Sequence, residues 1–224
     1  MQKSRRRLPA KKTSTAASGR GRPRAFDRAT ALAQATRVFW LKGFGATSVT
    51  DLTQAMGIGA TSMYAAFGSK EALYAEALRH YANTYEGLFW TRFSTAGTAR
   101  EAVEAFLMDS SAALTGSLCD IPRGCMVALS SVGSEGYLEL GKLVRSDRAG
   151  TLNRLKTRLD QAVADGEIPP SADVNALARF VQTVQNGMSI QARDGASRAD
   201  LEAVARLAMR CWDDRTLQKK QSIP

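Results

Sequence analysis

The stretch GIGATSMYAAFGSKEAL, residues 57–73, contains a very short helical segment held between glycines. The run from Ala60 to Ala66 is uncharged, and it has too little apolar surface to be present for packing alone. We expect Ile58, Met63 and Phe67 to fasten it to the protein from behind. The opposite side is then exposed and presents Ala60, Thr61, Ser62 and Tyr64.

Start and stop signals for other helices flank this segment. Asp27 is an N-cap candidate for a first helix, and Ser48 caps a second one with Asp51 at its third position. Gly57 ends the second helix where a left-handed residue is needed, and Ser69 caps a fourth helix. Four helices in so short a stretch, two of them joined by a tight turn, predict a helix-turn-helix unit.

The exposed side of the third helix has the chemistry of a DNA-reading surface. Small residues let a helix enter a major groove, where the hydroxyls of Thr61 and Ser62 bond base edges or phosphates and the Ala60 methyl meets a thymine methyl. The Tyr64 phenol is long enough to reach a phosphate. Lys70 adds a cation at the first turn of the next helix, which is a second phosphate clamp. Each residue alone also fits an ordinary surface or core position, but their combined spacing predicts DNA binding.

The residues from RATALAQATRVFW to SKEALYAEAL, 28–78, resemble the DNA-binding domain of the TetR/AcrR family of bacterial one-component transcriptional regulators. The resemblance implies operator contacts for Ser48 and Thr50 on the second helix, and for Thr61, Ser62, Tyr64 and Lys70. One departure is Gly59, where this family usually has a Ser or Thr N-cap. The start of the recognition helix is therefore expected to be looser than is typical.

The N-terminal residues are strongly basic. Of the 31 Lys and Arg residues, which give the 224-residue chain a formal charge of +10, nine lie in residues 1–24, a segment without acids. Within it, GRGRPR, residues 19–24, resembles an AT-hook core, whose arginines enter a narrow A·T minor groove. Arg20, Arg22 and Arg24 are therefore candidate DNA contacts, and the alternative is a solvated basic linker. An organellar transit peptide is a further alternative, but the missing apolar residues favour a cytoplasmic protein.

Helical periodicity dominates the remaining sequence, and strand alternation is almost absent, so we predict an all-α fold. By the family resemblance, an N-terminal helix-turn-helix DNA-binding domain precedes a C-terminal helical ligand-binding and dimerisation domain. The predicted boundaries are a basic disordered arm at 1–24, the DNA-binding domain at 25–70, the effector-binding and dimerisation domain at 71–217 and a tail at 218–224.

The last two predicted helices carry matching apolar stripes. The resemblance implies that they form a four-helix bundle with the same pair of a second subunit, and the alternative is that the stripes are intramolecular core. Two half-sites about one DNA turn apart would also multiply the specificity of a short recognition helix. The interface candidates are Leu177, Val181, Val184, Met188, Leu201, Val204, Ala208 and Trp212.

The resemblance also implies an apolar pocket for an unknown small-molecule effector that shifts the spacing of the two DNA-binding units. Candidate linings, each of which is also a candidate core residue, are Tyr81, Tyr85, Phe89, Trp90, Phe93, Phe106 and Met126. The RGC sequence at 123–125 resembles a stretch through which some family members sense electrophiles or oxidants. Cys125 is therefore either a redox-sensing thiol with a lowered pKa or a small buried hydrophobe.

Other function classes fit the sequence poorly. An enzyme needs a catalytic constellation, yet the chain has one histidine, His80, and no nucleophile or phosphate-binding motif. Cys119 and Cys125 lack the spacing and the second pair of a zinc site, so we expect neither a metal nor a cofactor. No apolar run is long enough to cross a membrane. The remaining rival to a dimeric repressor of a palindromic double-stranded operator is a nonspecific architectural DNA-binding protein.

Overall fold

The computed structural model describes residues 26–216. This part of the chain contains α-helices and no strand, which confirms the predicted all-α class. The helices are α1 (Arg28–Lys42), α2 (Val49–Met56), α3 (Ala60–Phe67), α4 (Lys70–Tyr85), α5 (Gly87–Thr95), α6 (Ala99–Leu114), α7 (Leu138–Ala164), α8 (Val174–Arg193) and α9 (Arg198–Thr216). None of these helices is both long and apolar enough to cross a bilayer.

The first four helices begin and end at the residues that the capping signals indicate. The Asp27 carboxylate accepts the amide of Ala29, and Ser48 forms a reciprocal capping box with Asp51. Gly57 adopts the left-handed conformation, with φ of 65°, that ends α2 and starts the turn into α3. At Gly59 the N-cap of α3 has no side chain to accept a hydrogen bond.

A first hydrophobic core holds α1 to α4 together, and we call this unit the head. α1 packs on α2 and α4, and Phe39, Leu52 and Phe67 are buried where the helices meet. The same core continues along α4 as far as Tyr81. A domain boundary at residue 70 would therefore cut through it, because α4 contributes one face to the head for most of its length.

A second hydrophobic core lies among α5, α6, α7, α8 and α9, and we call this unit the body. α6 is its central helix, since α5, α8 and α9 all pack against it and residues such as Phe106 and Leu107 are fully enclosed. α7 begins at Leu138 and ends at Ala164.

The segment between α6 and α7, residues 115–137, attaches the head to the body. The buried indole Nε1 of Trp40 on α1 donates to the carbonyl of Gly124 at 2.8 Å, and the hydroxyls of Tyr74 and Ser130 are 2.9 Å apart. From the end of α8, the Arg193 guanidinium donates to the carbonyls of Trp40 and Leu41 at 2.8 and 3.0 Å. This segment therefore contacts α1 and α4 directly.

Candidate functional site

The recognition helix α3 presents its small and hydroxyl side chains to solvent. Ala60, Thr61 and Ser62 are exposed, and the side of α3 that carries Met63 and Phe67 is buried in the head. Tyr64 is 45% exposed, which leaves its phenol free to reach outward. The residues that we predicted for base and phosphate contacts therefore share one accessible face.

The C-terminal end of α3 is fixed by Arg28. Its guanidinium donates to the carbonyl of Ala66 at 3.3 Å and to the Glu76 carboxylate at 2.8 Å, and it lies 4.4 Å from the centre of the Phe67 ring. Because Gly59 gives the N-terminal end no side-chain cap, α3 is held firmly from its far end and by its buried side.

The N-terminus of α2 carries the two other predicted DNA contacts, Ser48 and Thr50, and both are exposed. Asp51 orients this end of the helix: its carboxylate accepts from the Lys42 ammonium at 2.6 Å and from the Ser48 amide and hydroxyl at 2.9 and 2.8 Å. These contacts lower the pKa of Asp51 from 3.8 to about 2, and the contact with Lys42 has the largest effect.

Replacement of Asp51 by asparagine is expected to destabilise the head at neutral pH, because the amide cannot reproduce a charged capping box. A lowered folded-state pKa means that Asp51 stabilises the fold above its unfolded value near pH 4, and that this contribution disappears as the pH falls toward 2. Urea unfolding of wild type and Asp51→Asn between pH 7 and pH 2.5 measures the difference in their free energies of unfolding. A stability difference that does not shrink on acidification would contradict the assigned role.

Lys70 is the first residue of α4, directly after its N-cap Ser69. Its ammonium lies 4.2 Å from the centre of the Phe44 ring, and no carboxylate among residues 26–216 pairs with it. The charge is therefore held near the backbone amides of a helix N-terminus and close to the α3 surface. This arrangement suits a phosphate.

A cavity of about 320 Å³, which is open to solvent, lies between α4 of the head and helices α5 to α8 of the body, beside the segment that attaches the head. Of the predicted effector contacts, five line it: Tyr81, Tyr85, Phe89, Trp90 and Phe106. Phe93 and Met126, which were also predicted as effector contacts, are not part of this lining. Phe93 is buried in the core of the body and Met126 in that of the head, because periodicity identifies a buried face but not what it faces.

The cavity also has a polar wall that the sequence analysis missed, formed by α7 and α8. Its members include Arg148, Arg154, Gln182, Gln185 and Asn186. One sequence signal for it exists: Gln185 lies in the buried stripe of Val181, Met188 and Ala192, where a polar residue is out of place. The other polar residues come from helices whose contact with the cavity depends on tertiary packing.

Cys125 lies at the junction of the two cores, packs against both and lines the cavity. The Tyr81 hydroxyl donates to its Sγ at 3.3 Å, and the pKa of Tyr81 is raised well above its ordinary value, by burial first and then by Cys125. The neighbouring Arg123 guanidinium donates to the Ala196 carbonyl, and the residues after Cys125 form a turn and not a helix.

The apolar stripes of α8 and α9 serve mainly the core of the body. Six of the eight predicted interface residues are buried within the single chain: Leu177, Val181, Met188, Leu201, Ala208 and Trp212. Val184 is half-buried against the same core and Val204 is exposed. As surface contacts to a second subunit the six buried residues were wrong predictions, because the stripes pack on α6 and on each other.

Other apolar side chains of α8 and α9 are exposed, and of the large ones only Val204 was predicted as an interface residue. Ile190 is 55% exposed and Leu207 62%, with Val204 one turn before Leu207. Gly187 and Ala203 are also at least partly exposed on these helices, so a neighbouring helix could approach closely. Such large exposed aliphatic side chains are typical of a contact surface.

Comparison with known proteins agrees with the geometry of the head. The family described as "Bacterial regulatory proteins, tetR family" matches residues 31–77. The transcriptional repressor ComR of Escherichia coli K12 is 35% identical over 198 residues, covering 87% of this chain and 93% of ComR. The repressor BdcR of the same organism is 31% identical, covering 84% of this chain and 90% of its own.

A solved structure of the TetR-family regulator CifR, a cysteine mutant bound to 26-bp double-strand operator DNA, is 38% identical to this chain. It superposes with a TM-score of 0.80 and covers 86% of this chain and all of its own. Identity and coverage of this size, together with the exposed recognition helix, establish the chain as a DNA-binding regulator. It belongs to the TetR family of bacterial transcriptional regulators.

Proposed function

We propose that this regulator is a repressor that binds a palindromic operator as a homodimer and leaves it when a small molecule fills the cavity between the head and the body. The observation that carries the proposal is the accessible face of α3, where Thr61, Ser62 and Tyr64 stand on a helix fixed from behind. The relatives ComR and BdcR are named as repressors, and CifR is bound to an operator duplex, which supports the same role here.

We assign the subunit contact to the exposed face of α8 and α9, centred on Ile190, Val204 and Leu207. A single α3 of eight residues reads too few base pairs for useful specificity, and two copies about one DNA turn apart read twice as many. In a two-fold dimer the same patch meets itself, so the exposed aliphatic side chains of both subunits would cover one another.

Few contacts separate the cavity wall from the helices of the head. Cys125, Val127 and Ala128 line the cavity, and they belong to the segment whose Gly124 carbonyl binds Trp40 and whose Ser130 hydroxyl contacts Tyr74. A ligand that pushes on this wall shifts α1 and α4 of each head. In the dimer this changes the distance between the two recognition helices, and a ligand that favours the changed spacing releases the operator.

Selection of bound duplexes from a random pool tests the proposal. We expect one palindrome to be enriched, with an affinity about 10³-fold or more above that of scrambled DNA. Equal affinity for all sequences would instead identify a nonspecific architectural protein. A compound screen for release of the selected duplex then tests the effector step.

The basic arm is the second proposed DNA contact. Arg20, Arg22 and Arg24 lie outside the described residues, and we propose from their sequence that they enter the minor groove beside the site read by α3. Removal of residues 1–24 is expected to flatten the salt dependence of operator binding by about 0.9 log units for each phosphate that the arm neutralises. Fluorescence anisotropy over a range of roughly 50 to 300 mM salt measures this slope. An unchanged slope would contradict the proposed role of the arm.

A thiol-based response is a second candidate, favoured by the place of Cys125 between the two cores and in the cavity wall. Modification of its Sγ would enlarge a side chain that packs against both units. Thiol labelling of the native protein, with Cys125→Ser as control, decides the point: an unlabelled Cys125 and oxidant-insensitive operator binding exclude it.

A further inference from the structure

One buried polar side chain of the cavity wall has no hydrogen-bond partner in the described part of the chain. Gln185 is only 6% exposed, yet its side-chain amide has no hydrogen-bond partner within residues 26–216. The amide is not among the fully enclosed polar atoms of that range, so its remaining accessible surface opens into the cavity that it lines. Burial of an amide without a partner is unfavourable, which points to a ligand that completes it.

Arg148 provides hydrogen-bond donors to the same cavity. Its Nε and Nη2 donate to the carbonyls of Val127, Ala128 and Ser130 at 2.7 to 3.1 Å. Its Nη1 has no acceptor in the described part of the chain, and none of the carboxylates there pairs with the guanidinium. Because its position is fixed by three carbonyls, Arg148 offers a preorganised donor to an oxygen atom in the cavity.

Arg154, the other cation of the cavity wall, already has hydrogen-bond acceptors within the protein. The Arg154 guanidinium donates to the Glu86 carboxylate and to the Ser94 hydroxyl, and it lies 4.4 Å from the centre of the Trp90 ring system. Arg154 therefore closes one side of the cavity without requiring an anion. Arg148 is the guanidinium group of the wall that has no carboxylate partner within residues 26–216.

Another part of the cavity lining is aromatic. Trp90 and Phe106 have ring centres 4.6 Å apart with planes inclined by 32°, and Tyr85 and Phe89 extend this surface. Flat rings are favoured on such a wall because they bury apolar area and stack in offset geometry. A cavity of about 320 Å³ has room for one ring with one polar substituent.

We propose that the cavity binds a small single-ring aromatic compound bearing a carboxylate or carboxamide group. The oxygen of that group accepts from Gln185 and Arg148, and the ring lies against Trp90 and Phe106. The proposal rests on the effector-release function above, since it names the class of the effector. Gln185 is the specificity-determining residue, because it distinguishes a ring with an oxygen acceptor from a plain hydrocarbon.

Calorimetric titration of the full-length protein without DNA tests the ligand class, with benzoate, benzamide, cyclohexanecarboxylate and toluene as probes. We expect benzoate or benzamide to bind at least about 10-fold more tightly than toluene, because only they satisfy the amide. The tighter-binding compound of benzoate and benzamide shows whether the preferred polar group is a charged carboxylate or a neutral carboxamide. Cyclohexanecarboxylate is expected to bind more weakly than benzoate because it cannot stack.

Gln185→Leu isolates the polar contact. We expect it to weaken binding of the preferred aromatic probe about 10-fold and to leave toluene binding unchanged or tighter. Since it removes an unpartnered amide from an apolar stripe, it should also raise the melting temperature of the ligand-free protein by about 2–4 °C. Gln161→Leu on the exposed side of α7 is the matched control and should change no ligand affinity.

Toluene binding equal to benzoate and benzamide, failure of all four probes to bind, or full benzoate and benzamide affinity in Gln185→Leu would overturn the proposal. The outcomes are separable from those for repression. A protein that binds its probe and still holds its operator contradicts release by this ligand, whereas one that releases its operator to an unrelated compound contradicts only the ligand class.

Discussion

Tyr64→Ala combined with Lys70→Ala is expected to weaken operator binding by about 10³-fold. Each side chain is expected to contribute about 1 kcal/mol at one half-site, so a dimer on two half-sites loses about 4 kcal/mol. The double substitution should also change the salt dependence of operator binding. Because Lys70 is charged and Tyr64 is not, the salt slope should fall by about 1.8 log units for the two lysines of the dimer together. Fluorescence anisotropy with the selected duplex measures both quantities.

The double variant should fold normally, which makes the result interpretable. Tyr64 is exposed, and removal of the Lys70 ammonium from the Phe44 ring costs about 0.5–1 kcal/mol of stability. Tyr64→Phe tests the phenol oxygen separately and should weaken binding less than the double change. Lys156→Ala, which removes an exposed cation of α7 paired with Asp160, is the matched control and should leave affinity and salt slope unchanged. Wild-type affinity in a folded double variant would remove α3 and the start of α4 from the DNA interface.

The head could be predicted from sequence because its signals are local. Ser48, Gly57 and Ser69 cap or end helices through contacts within a few residues, and the exposed side of α3 follows from the burial of Met63 and Phe67. The predicted helix ended at Ala66, and the observed one includes Phe67, which stays helical because it packs in the core of the head.

The body was predicted less well because its decisive contacts are not local. A stripe such as Leu177, Val181 and Met188 shows that a helix face is buried, but the same pattern fits a partner subunit or the core of its own chain. The exposed Ile190 and Leu207 lie off those buried stripes, and periodicity does not tell which exposed apolar side chains meet a partner. The cavity is likewise assembled from five helices and the segment after α6, and only Gln185, a polar residue within an apolar stripe, marks it in the sequence.

Leu207→Glu is expected to convert the dimer into a monomer and to lower operator affinity by about 10³-fold or more. In a two-fold interface each substitution occurs twice, so two carboxylates would be introduced among the exposed Ile190 and Val204 side chains of the proposed contact. Desolvation and like-charge repulsion then cost several kcal/mol. A monomer keeps only single half-site affinity, because it loses the millimolar effective concentration that a linked second head provides. Sedimentation equilibrium and anisotropy on the same samples measure the two effects.

Folding of the Leu207→Glu chain should be unaffected, because the side chain is 62% exposed in the single subunit and contributes little to the core. Leu118→Glu, at another exposed leucine in the segment after α6, is the matched control and should remain dimeric with full operator affinity. The two variants separate the effect of a new surface charge from the effect of its place on α9. A folded Leu207→Glu protein that keeps dimer mass at nanomolar concentration would move the subunit contact away from this face. The core-facing stripes could not replace it, because Val181, Leu201 and Trp212 are already enclosed within one chain.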